Sequence, residues 1–177
     1  MSARIAPGGV RETGPVIWAF GRLAGRVTGT EPPAIFTTLG RGKGLFWGWL
    51  HFAGRLMPGG VLPRRETELV ILRVAHLRGC DYEFSHHVRL GKRAGVTADD
   101  VRRLQEPQLA GWTPREEVLL ASADALVKSK DLDDDQWAAA RALLSEREVL
   151  ELLLLVGHYD MLATTLMTLR LQPDRDR

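Results

Sequence analysis

The chain has 177 residues, of which 45% are hydrophobic and 26% are charged, so it can bury a core and is too apolar to be disordered. Its 24 lysines and arginines against 22 aspartates and glutamates give a net charge of +2, too balanced for a protein that mainly binds nucleic acid. The single cysteine, Cys80, excludes an internal disulfide and a cysteine-rich zinc site, and a lone thiol is typical of a cytoplasmic location.

The first half of the chain begins with glycine and proline and continues with helix signals. We expect residues 1–14 to be a flexible arm and residues 15–27 to form a helix with one apolar face. An aromatic, glycine-rich segment follows and is interrupted by the proline and glycines at 57–60. The next predicted helix, 64–77, contains the apolar run 69–72, which is typical of a helix buried on most sides.

The second half of the chain carries several explicit helix ends. Gly79 is expected to separate the preceding helix from a helix over 82–94. Further helices are predicted to begin at the capping residues Thr97, Thr113, Asp133 or Asp134, and Ser145, the last one ending near Leu171. With no segment that reads as a strand, the sequence predicts an all-α, single-domain bundle of about eight helices over residues 15–172, followed by a tail, 173–177.

Several kinds of partner are not expected. The apolar C-terminal stretch is interrupted by Glu151 and Asp160, so no membrane-spanning segment is predicted. His87, Glu83 and His158 could be drawn as metal ligands, but their spacing does not require it, and no phosphate-binding loop is present. We therefore expect no metal, no cofactor, no nucleic acid and no membrane partner.

The pattern Glu68-x11-Cys80-x2-Glu83-x3-His87 is the part of the sequence best suited to chemistry. Glu83 and His87 share a helix face, where a carboxylate can orient and tune an imidazole for proton transfer near neutral pH. Cys80 precedes that helix, whose positive end can stabilise a thiolate. Glu68 reaches the same pocket if the two helices pack as an antiparallel hairpin around Gly79.

Each of these residues also has an ordinary structural interpretation. A lone cysteine is more often a small buried apolar residue, and a Glu–His pair four residues apart is more often a solvated helix pair. The helix dipole alone can explain Glu68 near a helix start. His86 is expected at the surface or an interface, and His51 and His76 in packing or partner contacts.

The sequence resembles the carboxymuconolactone decarboxylase family and its alkyl hydroperoxidase D-like relatives. The resemblance rests on residues 65–75, Gly79 to Phe84, His87, residues 94–97 and the late segment 155–162, and it extends over roughly residues 35–172. It implies the all-α alkyl hydroperoxidase D-like fold, a small-molecule substrate and a homo-oligomer, trimer-based or dimeric. In the hydroperoxidase branch the motif has two cysteines; here Cys80 takes the first position and Glu83 stands at the second.

Three hypotheses of function follow. The first is an enzyme of general acid–base chemistry, decarboxylation or lactone-type, on a small carboxylate or carbonyl compound. His87 would be the base or acid, Glu83 would orient it, Glu68 would be a second carboxylate, and Cys80 would line the site. The second is a hydroperoxide reductase that uses Cys80 and an external thiol reductant, and the third is a non-catalytic oligomeric binding protein. We also expect the pocket to be lined by Tyr82, His158 and Tyr159.

Overall fold

The computed structural model describes residues 2–175, and that part of the chain is built from helices and connecting turns without a β-strand. Ten α-helices are formed: α1 Val10–Thr13, α2 Pro15–Thr28, α3 Ala34–Leu39, α4 Gly44–Leu56, α5 Arg64–Arg78, α6 Asp81–Arg93, α7 Ala98–Arg103, α8 Pro114–Ser129, α9 Asp134–Leu143 and α10 Glu146–Leu169. The all-α class is confirmed. The helices outnumber the eight expected because short ones such as the four-residue α1 leave little periodic signal in the sequence.

The helix starts follow the capping residues. Thr97, Thr113, Asp133 and Ser145 each accept a hydrogen bond from the backbone N–H three residues on, and each forms a full capping box. These bonds satisfy backbone donors that a helix cannot pair internally. The local sequence therefore fixes where α7, α8, α9 and α10 begin.

Helix α5 is the central element of the bundle. Its residues from Thr67 to Ala75 are all buried, because α6, α8 and α10 pack around it. Val70, Ile71 and Val74 belong to the main core shared with α10, whereas Leu69 and Leu72 pack on the other side with Leu104, Trp112 and Leu120. The apolar run in α5 is thus covered on most sides, as its sequence predicts.

The buried interior of α5 also contains a charge. Arg73 is only 3% exposed, and its guanidinium donates to both carboxylate oxygens of Asp124 at 2.6 and 2.7 Å. It also donates to the backbone carbonyls of Leu104, at 2.6 Å, and Glu106. A buried guanidinium is tolerated when its donors are paired in this way, so Arg73 ties α5 to α8 and to the turn after α7.

Helices α5 and α6 form an antiparallel hairpin. Gly79 ends α5 in the left-handed conformation, with φ of 65°, which glycine adopts without steric strain. Cys80 then takes the N-cap position of α6. The tight turn brings the inner face of α6 against α5 and sets the positions of the candidate site residues.

Helix α10 combines a core role with a partly apolar surface. It is long and apolar enough to cross a membrane by length and composition alone, but ten of its residues, from Val149 to Leu166, are buried within the bundle. The core helix of a soluble protein passes the same test, so length and composition alone do not make α10 a membrane span. The cytoplasmic location stays a prediction.

Both ends of the described chain contact the bundle. The N–H of Arg4 donates to the carbonyl of Leu169, and the N–H of Gly8 donates to that of Thr37, both at 2.9 Å. In the tail, the carbonyl of Arg175 accepts a bond from the N–H of Glu31. The division into arm, helical domain and tail stays a prediction, and residues 1, 176 and 177 of it lie outside the described part.

Candidate active site

A cavity of about 140 Å³ lies between α3, α4, α6 and α10. Most of its wall is apolar and aromatic, supplied by residues such as Ile35, Trp49, Met57 and Leu162. The polar part of the wall comes from α6 and α10 and consists of Tyr82, Glu83, His86, His87, His158 and Tyr159. An apolar pocket with a few convergent polar groups is the usual form of a small-molecule site.

His87 is held by a carboxylate from the neighbouring helix. Its Nδ1 lies 2.7 Å from Oε2 of Glu68, which is fully buried, and the guanidinium of Arg64 forms an ion pair with the other oxygen, Oε1, at 2.6 Å. A carboxylate only accepts hydrogen bonds, so Nδ1 of His87 is the donor in this contact and Nε2 is the ring nitrogen left for another partner. Arg64, Glu68 and His87 thus form a chain that fixes the tautomer of an imidazole at the cavity.

The structure changes the roles expected for the two glutamates. Glu83, four residues before His87, was predicted to orient it, but the bonded carboxylate is that of Glu68. The reason is that the α5–α6 hairpin sets Glu68 opposite His87, whereas Glu83 lies in the first turn of α6 beside Cys80. Glu83 itself lines the cavity, and Glu68 lies behind His87.

Glu83 is a buried carboxyl group that interacts with the neighbouring Cys80 thiol. It is 2% exposed, and both of its carboxyl oxygens lack a partner of good geometry. Burial raises the pKa of Glu83 to about 8, and the nearby Cys80 thiol and the charge of Arg78 oppose this shift only in part. At neutral pH Glu83 is therefore mostly protonated and can donate a hydrogen bond.

Cys80 lies beside this cavity and not in its wall. It is 2% exposed, belongs to the main core, and borders a separate surface depression between the start of α6 and the end of α10. Burial, together with the charge of Glu83, raises the pKa of Cys80 to about 12. The expectation that Cys80 lines the site is wrong, because the hairpin turns its side chain into the core.

Two further imidazoles face the cavity. His158 stacks on Trp49 at a ring-centroid distance of 6.3 Å, and both of its ring nitrogens lack a partner among the described residues. Desolvation, with a contribution from His87, lowers the pKa of His158 to about 4. His86 stacks on Tyr82, and desolvation lowers its pKa to about 3. Both rings are neutral at physiological pH.

The two tyrosines predicted to line the pocket do so. Tyr159 meets the ring of His87 edge to face at 5.1 Å, and its hydroxyl contacts Sδ of Met57 at 3.7 Å. The hydroxyl of Tyr82 accepts a bond from the N–H of Ile35 and donates to Asp174 at 2.7 Å. Burial raises the pKa of both phenols, so both keep their protons.

Some sequence expectations about the histidines need correction. His86 was expected at the surface or an interface but is half-buried in the cavity wall, because Tyr82 and His86 are four residues apart and share a helix face. That spacing was a visible signal. His51 is exposed and His76 half-buried, and neither lines the cavity. Among residues 2–175, no three histidine, cysteine or acidic side chains cluster as metal ligands would.

The sequence matches one known family. Residues 43–125 match the Carboxymuconolactone decarboxylase family, a stretch that runs from the start of α4 through most of α8 and includes α5 and α6. No curated protein sequence matches the chain.

Solved structures with the same fold are similar over nearly the whole chain. A peroxidase-related protein with an alkylhydroperoxidase AhpD core, from Ralstonia eutropha, has a TM-score of 0.82 at 17% identity and covers 97% of this chain and 94% of its own. A peroxidase-related protein from Silicibacter sp. has a TM-score of 0.79 at 15% identity, covering 88% and 83%. The debrominase Bmp8 has a TM-score of 0.82 at 19% identity, covering 98% and 93%. At these identities the likeness shows the fold.

Proposed function

We propose that the cavity is the active site of an enzyme of general acid–base chemistry on a small carbonyl compound. The chain belongs to the carboxymuconolactone decarboxylase and alkyl hydroperoxidase D-like superfamily. One observation carries the proposal. The imidazole of His87, held by Glu68 at 2.7 Å, lines the same cavity as the buried, protonated carboxyl group of Glu83. A base and an acid with separated protonation states are what proton transfer at neutral pH requires.

The proposed reaction begins with proton removal by His87. Its Nε2 takes a proton from the carbon next to the carbonyl group, and the imidazolium that forms is stabilised by the Glu68 carboxylate. Arg64 holds the other oxygen of Glu68 at 2.6 Å and supports its negative charge. No electron leaves or enters the substrate in this step.

Glu83 supplies the acid. Its O–H donates to the substrate's carbonyl oxygen and stabilises the charge that develops there as the C–H bond breaks. Return of the proton from His87 to another carbon of the enolate, while Glu83 still donates to its oxygen, completes an isomerisation or a lactone rearrangement. Most of the cavity wall is apolar, and such surroundings strengthen the hydrogen bond that Glu83 donates.

The thiol-peroxidase alternative has weaker support. Peroxide reduction needs an accessible thiolate, whereas Cys80 is buried and its pKa is raised to about 12. Glu83 stands where the second cysteine of the hydroperoxidase motif would be. A peroxide cycle through Cys80 would therefore need both an opening of the core and an external thiol.

We test the acid–base proposal by proton exchange. In D₂O, the protein should accelerate deuterium incorporation next to the carbonyl group of members of a panel of small cyclic ketones and lactones, followed by NMR. His87→Asn should lose the acceleration, Glu68→Gln and Glu83→Ala should lose most of it, and Cys80→Ala should keep it. His76→Asn, a histidine of α5 outside the cavity, is the matched control. No acceleration with any panel member, or equal acceleration by His87→Asn, would contradict the proposal.

The homo-oligomer, trimer-based or dimeric, is likewise a proposal. Its support is an apolar groove between α4 and α10, where Leu45 is 81%, Leu154 52% and Met161 52% exposed. Contiguous apolar surface of this kind marks association sites. Light scattering coupled to size exclusion should give a mass above that of one chain, and Leu154→Glu should lower it. A monomer at micromolar concentration would contradict the proposal.

A further inference from the structure

The size of the cavity limits what it can hold. Its volume of about 140 Å³ is close to the roughly 150 Å³ of an engineered apolar protein cavity that binds benzene. A molecule with one six-membered ring and a small substituent therefore matches the space. A bicyclic compound or a long acyl chain would extend beyond it into the solvent.

The charge of the cavity wall is a second constraint on the ligand. No lysine or arginine among the described residues lines the cavity. The arginines behind the wall already have partners, since Arg64 forms an ion pair with Glu68 and Arg78 with Asp160. Arg89, whose charge acts on His86, also has a partner. A carboxylate in this cavity would lie beside the neutral rings of His86 and His158, with the Glu68 carboxylate behind His87, which is an unfavourable place for a second anion.

Polar atoms without a well-placed partner, in residues of the cavity wall, are the third constraint on the ligand. Glu83 is 2% exposed, and both of its oxygens lack a partner of good geometry, as do both nitrogens of His158 and Nδ1 of His86. Buried polar groups of this kind are normally satisfied. A ligand oxygen that accepts from the Glu83 carboxylic acid would satisfy this buried group.

We propose that the cavity binds an uncharged, one-ring molecule with a carbonyl oxygen and rejects the corresponding carboxylate. This narrows the proposed function, on which it rests, because a carboxylate was an equal expectation from the sequence. The ring packs among Ile35, Trp49 and Leu162, and the carbonyl oxygen accepts from Glu83.

The test compares two molecules that differ mainly in charge. Cyclohexanone and cyclohexanecarboxylate are titrated into the wild-type protein at pH 7, and binding is followed by ligand-observed NMR and calorimetry. The ketone should bind about tenfold or more tightly than the anion, because the anion loses its hydration without gaining a cation. Equal affinities, tighter binding of the anion, or no binding of the ketone overturns the inference.

A matched pair of variants on α4 locates the binding. Ala53 lines the cavity, so Ala53→Leu should fill it and lower the affinity for cyclohexanone about tenfold or more. Gly48 is exposed on the same helix with open space at its Cβ position, so Gly48→Leu should leave the affinity unchanged. Ketone binding that survives Ala53→Leu in a folded protein overturns the inference. The wild-type comparison decides it alone if that variant does not fold.

Binding and proton exchange separate the two proposals. A preference for the ketone without His87-dependent exchange supports this inference and contradicts the acid–base function. A preference for the anion together with His87-dependent exchange supports the acid–base function and contradicts this inference.

Discussion

The buried carboxyl group of Glu83 should make the stability of the protein depend on pH in a specific way. Its pKa rises from an ordinary value of 4.5 to about 8 on folding, so between these pH values the unfolded chain is ionised at this position and the folded chain is protonated. A raised carboxyl pKa therefore destabilises the folded state as pH increases, by about 1.4 kcal/mol per pH unit. Above pH 8 this carboxyl group is ionised in both the folded and the unfolded chain, so the destabilisation no longer grows.

Replacing Glu83 by glutamine removes this dependence. Over the three units from pH 5 to pH 8, the free energy of unfolding of Glu83→Gln should rise relative to wild type by about 4 kcal/mol. The prediction concerns the difference in unfolding free energy between variant and wild type, because the lowered pKa values of His86 and His158 change the stability of both proteins equally. Glutamine is nearly isosteric, so the cavity keeps its shape.

The assay is urea unfolding followed by tryptophan fluorescence at pH 5, 6.5 and 8. Glu117→Gln, which changes an exposed carboxylate on α8, is the control and should differ from wild type by little at any pH. A difference between Glu83→Gln and wild type that stays flat from pH 5 to 8, or falls, would refute the reasoning that Glu83 is protonated in the folded protein.

Three further predictions concern other parts of the structure. Native Cys80 should react with iodoacetamide at pH 8 more slowly than in the urea-unfolded chain by about a thousandfold, because burial raises its pKa to about 12; comparable rates would contradict this. Asp124→Asn should lower the free energy of unfolding by about 3 kcal/mol, since it leaves the buried Arg73 without its anion, whereas a loss below that of exposed Asp135→Asn would contradict it. Ser145→Ala should lose about 1 kcal/mol in urea unfolding through the cap of α10, and no loss would contradict the capping geometry.

Local sequence rules were enough to predict much of the fold. Capping residues such as Thr113 and Ser145 fix helix starts through bonds to backbone three residues away, so the chain itself carries the information. The same holds for Gly79, because a left-handed residue at a helix end strongly favours glycine. The apolar run in α5 likewise predicts its own burial.

The pairing of side chains across helices was not predictable by these rules. Both Glu68 and Glu83 were reasonable partners for His87, and only the packing of α5 against α6 decides for Glu68 at 2.7 Å. The same packing places the thiol of Cys80 in the core. Helix α1 was missed because four residues contain too few turns to show a period.

The bond between Tyr82 and Asp174 has a practical consequence for anyone who produces the protein. Asp174 accepts from the Tyr82 hydroxyl at 2.7 Å and from the N–H of Ala34 at 2.9 Å, so the segment after α10 holds a tyrosine of the cavity wall and the start of α3. A tag or a truncation placed next to Asp174 would disturb both contacts. Such material should be compared with the unaltered protein before any substrate screen is interpreted.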